Sequence, residues 1–291
     1  MRTILALPGL AVAALLLGAC GGSGGGALRV VAAENVYGDI AAQIGGRLVS
    51  VTSVLSSPTS DPHLFQLGTR TGLEVAAARV VVQNGAGYDA FMEKLESAAP
   101  NERRVVVSIA DSLGVRPGAN PHLWYAIPRL PRIAAAIAAG LRRADPAHAA
   151  AYRAGLARFL RSLRPLEREV ERLRERFPGA PVAYTESVPG YLVTAAGLRN
   201  LAPAAFTRAL EDGSDPSPQA VAAMDALVAR RRIRVLLYNL QAVSPLTQRL
   251  RDAAAAHGIP VVGVTETLPP GRSFQQWQLA QARALYRALS S

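Results

Sequence analysis

The sequence predicts an α/β protein: two α/β lobes with parallel sheets, joined by one long backbone helix. Three observations predict it. Short apolar runs alternate with amphipathic stretches in both halves of the 291-residue chain, the pattern of strands and crossover helices. The strand-like runs, such as Val80-Val81-Val82, are almost wholly apolar, as strands covered on both faces require. Between the halves, Tyr152, Leu156, Phe159, Leu163, Leu166, Val170, Leu173 and Phe177 recur at steps of three and four with mostly Arg and Glu between them. That periodicity makes an amphipathic helix of roughly 30 residues, about 45 Å long. The chain therefore divides into an N-terminal lobe (28–144), a linking helix (145–178) and a C-terminal lobe (179–291).

Residues 1–19 read as a lipoprotein signal peptide. Met1-Arg2 is a short basic region and Ile4 to Leu17 a short apolar one, below the about 20 residues that a permanent bilayer span needs. Leu17-Gly18-Ala19-Cys20 reads as a lipobox, and residues 20–27 as a lipidated Cys20 followed by a glycine tether. Acyl chains there would anchor an exported domain to a membrane, in the periplasm or on the outer face of the cell membrane, since stable anchoring takes two or more chains. Cys20 is the only cysteine, so no disulfide forms within the chain.

Without Arg2 the charged side chains are 31 basic against 21 acidic, a net +10, and all the basic residues but Lys94 are arginine. These arginines are spread along stretches such as 153–176 with glutamates between them. A nucleic-acid surface wants a concentrated basic face with aromatic interleaving. The charge therefore reads as solvated surface favouring anionic lipid or an acidic partner, and a monomer that binds no nucleic acid is expected.

In order, 28–33 predicts a strand, 34–44 a helix ended by Gly45-Gly46, and 48–55 a second strand. Thr71-Gly72-Leu73-Glu74 has the form of a capping box opening a helix to Ala78. Strand 79–83 runs into the turn Asn84-Gly85-Ala86-Gly87, then a helix to about Ala98 and strand 104–109. That glycine turn lacks a P-loop Lys-Ser/Thr and the dinucleotide spacing. A helix spans 128–144, after which Asp145-Pro146 offers an N-cap and a first-turn proline. Pro165 should kink the linking helix. The second half repeats the alternation with strands at 181–185, near 197–201, 235–239 and 259–265. Its helices are 190–196, 217–231 opened by Ser217-Pro218, 244–257 opened by Ser244-Pro245, and 274–289.

Two of the four histidines sit in stiff proline tripeptides, Asp61-Pro62-His63 and Asn120-Pro121-His122. Each proline fixes its own φ and pushes the preceding residue into extended backbone, which is how a metal or anion ligand is presented. In parallel sheets ligands bind beyond the carboxyl ends of the strands. Polar residues there are His63, Asn84, Glu186, Asn239 and Glu266, with His122 between the first lobe's last strand and the linking helix. Facing lobes would set His63 and His122 against Glu186 and Glu266, a nitrogen and oxygen set suited to Zn²⁺, Mn²⁺ or Fe²⁺. Each has a plainer alternative: a capping histidine, a helix N-terminal carboxylate at Glu186, a solvated loop residue at Glu266. Tyr37, Asn84 and Asn239 are candidates for holding the ligands. His148 and His257 read as surface or helix-terminal residues, and Trp124 and Trp277 as core or lobe-interface residues.

The motifs Ala33-Glu34-Asn35-Val36-Tyr37-Gly38-Asp39-Ile40, Asp61-Pro62-His63-Leu64-Phe65, Val82-Gln83-Asn84-Gly85-Ala86-Gly87-Tyr88 and Asn120-Pro121-His122-Leu123-Trp124 carry a family resemblance. So do Thr185-Glu186-Ser187-Val188-Pro189-Gly190-Tyr191, Tyr238-Asn239-Leu240-Gln241 and Ile259 to Thr267. With them the chain resembles the zinc- and manganese-binding lipoproteins of bacterial ABC importers, the cluster A-I (cluster 9) solute-binding proteins. The resemblance implies that Zn²⁺ or Mn²⁺ is held between the lobes as the transported ligand and handed to an ABC permease. It implies His63, His122, Glu186 and Glu266 as the metal ligands. Glu186 falls where zinc-type members often have His and manganese-type members Glu, and Glu266 where most relatives have Asp. Residues 110–119 hold no histidine, whereas zinc-type members often carry a histidine-rich loop there. The protein is expected not to be an enzyme. The alternatives are an exported metal-dependent hydrolase, against which the lack of HExxH and of a serine elbow speaks, and a lipoprotein adhesin with a structural metal.

Overall fold

The computed structural model describes residues 26–57 and 68–291. The signal peptide, Cys20 and His63 lie outside the described residues.

The first lobe begins with β1 (Leu28–Glu34), α1 (Asn35–Gly45), β2 (Val49–Leu55) and α2 (Thr69–Ala77). It continues through β3 (Val80–Gln83), α3 (Ala90–Ala98), β4 (Val105–Ser108), the short α4 (Ile109–Leu113) and α5 (Leu130–Ala144). Its strands pair in the order β2-β1-β3-β4, all parallel. The linking segment is α6 (Ala149–Ser162) and α7 (Arg164–Arg176). The second lobe holds β5 (Pro181–Tyr184), α8 (Gly190–Ala195), β6 (Arg199–Asn200), α9 (Ala204–Glu211) and α10 (Pro218–Ala229). It closes with β7 (Val235–Asn239), α11 (Pro245–Ala256), β8 (Val261–Val264) and α12 (Phe274–Ser290). The second sheet repeats the first, β6-β5-β7-β8 and all parallel.

The linking helix is amphipathic as its period requires: Tyr152, Phe159, Leu163, Leu166, Val170 and Leu173 are buried. It breaks at Leu163, where the hydrogen-bond ladder restarts because Pro165 in the new first turn has no N–H to give. The half before the break packs on α1 and α5, and the half after it on α8 and α12. Gly155 lets α6 lie directly on the end of α1, since a Cβ there would come within 2.0 Å of the Ile44 carbonyl oxygen.

Several local expectations change. Thr71 does not cap α2; the helix starts at Thr69 with the extended Gly68 at its N-cap, and the Thr71 N–H is already used on the Gly68 carbonyl. Asp145 caps no N–H with its side chain but accepts from His148 Nδ1 and the Tyr152 hydroxyl, both at 2.7 Å. The helices α4 and α9 were not expected. Ser108 opens α4 by accepting from the Asp111 N–H at 3.2 Å.

The lobes are tied by α12 and the loop before it. Asn35 and Leu268 exchange hydrogen bonds in both directions at 2.9 and 2.8 Å, and the Phe274 N–H reaches Asp39 Oδ2 at 2.9 Å.

Candidate metal centre between the lobes

In each sheet the strand order reverses between the first and third strands in sequence, so the crevice for a ligand opens beyond the carboxyl ends of β1 and β3 and of β5 and β7. Glu34 ends β1, Asn84 follows β3, Glu186 follows β5 and Asn239 ends β7.

From the first lobe, Asn84 is fixed by its surroundings. Tyr37 donates to Asn84 Oδ1 at 2.6 Å, and burial holds that phenol well above its usual range, so it stays a donor. Asn84 Nδ2 in turn donates to the Pro121 carbonyl at 2.9 Å, setting the backbone just before His122. The His122 ring is fully buried. Trp124 and Tyr88 meet it edge to face, with centroids 5.5 and 5.6 Å away. Beneath this floor lies a carboxyl pair. Asp89 accepts from the N–H groups of Asn84 and Gly85 at 2.6 and 2.8 Å, and the Glu34 carboxyl is buried beside it. Burial, then the Asp89 charge, raises Glu34 well above the usual carboxyl range, which favours its neutral form beside Asp89.

Asn120 decides which nitrogen of His122 carries hydrogen. Its side chain touches the Ser187 carbonyl at 2.7 Å, and a carbonyl only accepts, so the Asn120 Nδ2 faces it. Oδ1 then faces His122, accepting from the backbone N–H at 2.9 Å and from Nδ1 at 2.8 Å. With hydrogen on Nδ1, the other ring nitrogen turns a lone pair towards Glu266 Oε2, 3.3 Å away. Two acceptors at that distance in a buried site need a cation between them, either a proton or a metal ion.

From the second lobe, Glu186 and Glu266 are 3% and 1% exposed. Asn239 Nδ2 bridges them, donating to Glu266 Oε1 at 2.8 Å and to Glu186 Oε2 in close contact. Tyr88 reaches across from the first lobe to Glu266 Oε2 at 2.8 Å. Gln241 holds the backbone under Glu266, its Oε1 accepting from the N–H groups of Glu266 and Thr267 at 2.6 and 3.1 Å. A cavity of about 290 Å³ leads from the surface to His122, lined among others by Tyr88, Arg208, Glu211 and Asp212.

Three of the four ligand candidates thus converge: His122 and Glu266 directly, Glu186 through Asn239. Among the described residues no group of three or more His, Cys, Asp or Glu side chains is already set around one point for a metal. Tyr37, Asn84 and Asn239 all lie in the hydrogen-bond network around His122, Glu186 and Glu266. Tyr88, Asn120 and Gln241 were not singled out by the sequence. All three lie inside quoted motifs, Asn120 at the head of the proline tripeptide that presents His122, which was the available signal.

Fold and site define a two-lobed α/β protein with a kinked linking helix and a buried His/Glu/Asn cluster between facing sheets. The family described as zinc-uptake complex component A, periplasmic (ZnuA), matches residues 30–288. The chain belongs to that family. It is 28% identical over 149 residues to the manganese-binding lipoprotein MntA of Bacillus subtilis (48% of each chain). It is 28% identical over 163 residues to the iron-binding protein YfeA of Yersinia pestis (53% of this chain, 50% of that one). The chain spans about half the length of these curated relatives. The fold is that of the periplasmic zinc-binding protein TroA of Treponema pallidum (TM-score 0.78, 19% identity, covering 91% and 99% of the chains). It is also that of FpvC of Pseudomonas aeruginosa, solved with Mn²⁺ (TM-score 0.75, 19% identity, 91% and 98%).

Proposed function

We propose that this protein is the extracytoplasmic binding component of an ABC importer. It captures a divalent transition metal, Zn²⁺ or Mn²⁺, between its lobes and delivers it to a membrane permease. The observation that carries the reading is the His122 Nε2 and Glu266 Oε2 pair, 3.3 Å apart with hydrogen held on the other ring nitrogen. Two ligands about 2.0–2.1 Å from a tetrahedral ion stand about 3.3–3.4 Å apart, which is the separation of this pair. Glu186 joins when the ion replaces the Asn239 amide as the positive partner of both carboxylates, and His63 is the fourth ligand. Membership of a zinc-uptake family and half-length similarity to manganese- and iron-binding proteins support the same cargo class. Cys20 is the lipid anchor in this reading. Among the described residues no helix is long and apolar enough to cross a membrane.

The test is elemental analysis and calorimetric titration with Zn²⁺ and Mn²⁺ of the chain from Gly26 onward, beside His63→Ala, His122→Ala, Glu186→Ala and Glu266→Ala. One metal per chain is expected, with affinity reduced in each variant by at least the 10–100-fold that a lost outer partner costs. Absence of stoichiometric binding, or binding indifferent to His122 and Glu266, overturns the proposal.

A further inference from the structure

The Asn120 side chain belongs to one lobe by chain position and to both by its bonds. Its oxygen holds His122, while its amide nitrogen holds the Ser187 carbonyl, one residue beyond Glu186. Its own carbonyl accepts from the Tyr191 hydroxyl at 2.9 Å. The other lobe is shaped to receive it. Gly190 opens α8 beside the amide, and a Cβ there would stand 2.8 Å from Asn120 Nδ2. The Ser187 carbonyl also accepts from the Gly190 N–H at 2.8 Å and the Ser187 N–H is held by Glu211 Oε1 at 2.5 Å, so the residue that Asn120 grips is itself fixed within its own lobe.

An amide is the one side-chain group of this length that accepts on one end and donates on the other. Aspartate would serve His122 equally well, but it would set a carboxylate oxygen 2.7 Å from the Ser187 carbonyl oxygen. Asparagine at this position is therefore explained by the contact between lobes, beyond what orienting His122 requires.

We propose that Asn120 is a positioning residue that couples the lobes: one amide fixes the hydrogen of His122 on Nδ1 and latches the Glu186 segment, and so sets how slowly the site gives up its metal. This rests on the metal-binding reading above. The Tyr191 hydroxyl on the Asn120 carbonyl also joins the two segments, but the latch alone ties the Glu186 segment to the group that holds the His122 ring, so its loss is expected to act on release.

The experiment uses Zn²⁺-loaded protein chased with excess chelator, together with ring ¹⁵N shifts of His122 in chelator-stripped protein. The variants are Asn120→Asp, Asn120→Ala and Gly190→Ala. Asn120→Asp and Gly190→Ala keep the acceptor for His122 and break the latch. Both are expected to show the wild-type Nδ1–H signature while releasing Zn²⁺ at least tenfold faster. Asn120→Ala is expected to lose the signature and to release faster still. Gly190→Ala alters no atom of Asn120 or His122 and lies on the opposite lobe, so it separates latching from a general folding defect. Wild-type release rates in both Asn120→Asp and Gly190→Ala, or an unchanged ring signature in Asn120→Ala, overturn the proposal. If the wild-type chain takes up no Zn²⁺, the metal-binding reading fails, and the ring signature of the stripped proteins still decides the role of Asn120.

Discussion

Asn239→Leu tests the centre most directly, because one amide nitrogen holds two buried carboxylates together. Asn239 Nδ2 donates to Glu266 Oε1 at 2.8 Å and to Glu186 Oε2, and all three residues are almost wholly buried. Leucine has nearly the same volume and no donor. Each hydrogen bond to a charged group is worth about 1.5–3 kcal/mol. These contributions overlap, and a loss of about 3 kcal/mol is a conservative expectation for the stripped protein. At about 2–4 °C per kcal/mol for a domain of some 200 residues, Tm should fall by roughly 6–12 °C in scanning calorimetry of chelator-treated protein. Saturating Zn²⁺ neutralises the same carboxylates, so the metal-induced rise in Tm should be larger in the variant than in the wild type. Asn239→Asp, which adds a third carboxylate, should fall further when stripped and recover as much when loaded. A stripped Asn239→Leu protein as stable as wild type would refute the bridging role of the amide.

Glu34→Gln tests the carboxyl pair under the site. The folded chain keeps on Glu34 a proton that the unfolded chain releases above its ordinary 4.5, so wild-type stability falls as pH rises from there towards the raised folded value, by up to about 1.4 kcal/mol per pH unit. Glutamine donates to Asp89 at every pH, so urea titrations from pH 5 to 8 should give a flatter profile and a more stable protein at pH 8; parallel profiles would count against the neutral Glu34. Gly155→Ala should cost about 3 kcal/mol through overpacking, because the added methyl meets the Ile44 carbonyl oxygen at 2.0 Å and its carbon at 2.8 Å, both backbone atoms that cannot swing away. An unchanged urea midpoint would mean that α1 and α6 can separate at little cost.

Where the sequence was legible, the signal was local. Val80-Val81-Val82 needs only its own apolar run to predict a covered strand, and Ser217-Pro218 and Ser244-Pro245 announce their helices because a cap is made within three residues. The same kind of signal stood at Ser108-Ile109-Ala110-Asp111 and was hidden by the apolar run of β4. Thr71 shows the converse, a capping pattern left unused because the chain was already helical two residues earlier.

The ligand candidates Glu186 and Glu266 were legible because strand ends in a parallel sheet are predictable places, and His122 because it stands in a proline tripeptide. Their partners were not. Tyr88 meets Glu266 across 178 positions of sequence, Asn35 meets Leu268 across 233, and Asn120 meets Ser187 across 67. No local pattern records such pairs.

The sequence by itself determined two parallel α/β lobes, a kinked amphipathic link and a set of candidate metal ligands, because periodicity, capping and donor chemistry are carried by neighbouring residues. Only the tertiary structure decided that His122 turns Nε2 towards Glu266, that Asn239 bridges the two glutamates, and that Asn120 belongs to both lobes. Those are hydrogen bonds between distant segments, and they exist only once packing has desolvated the groups and brought them within 3 Å or so of each other.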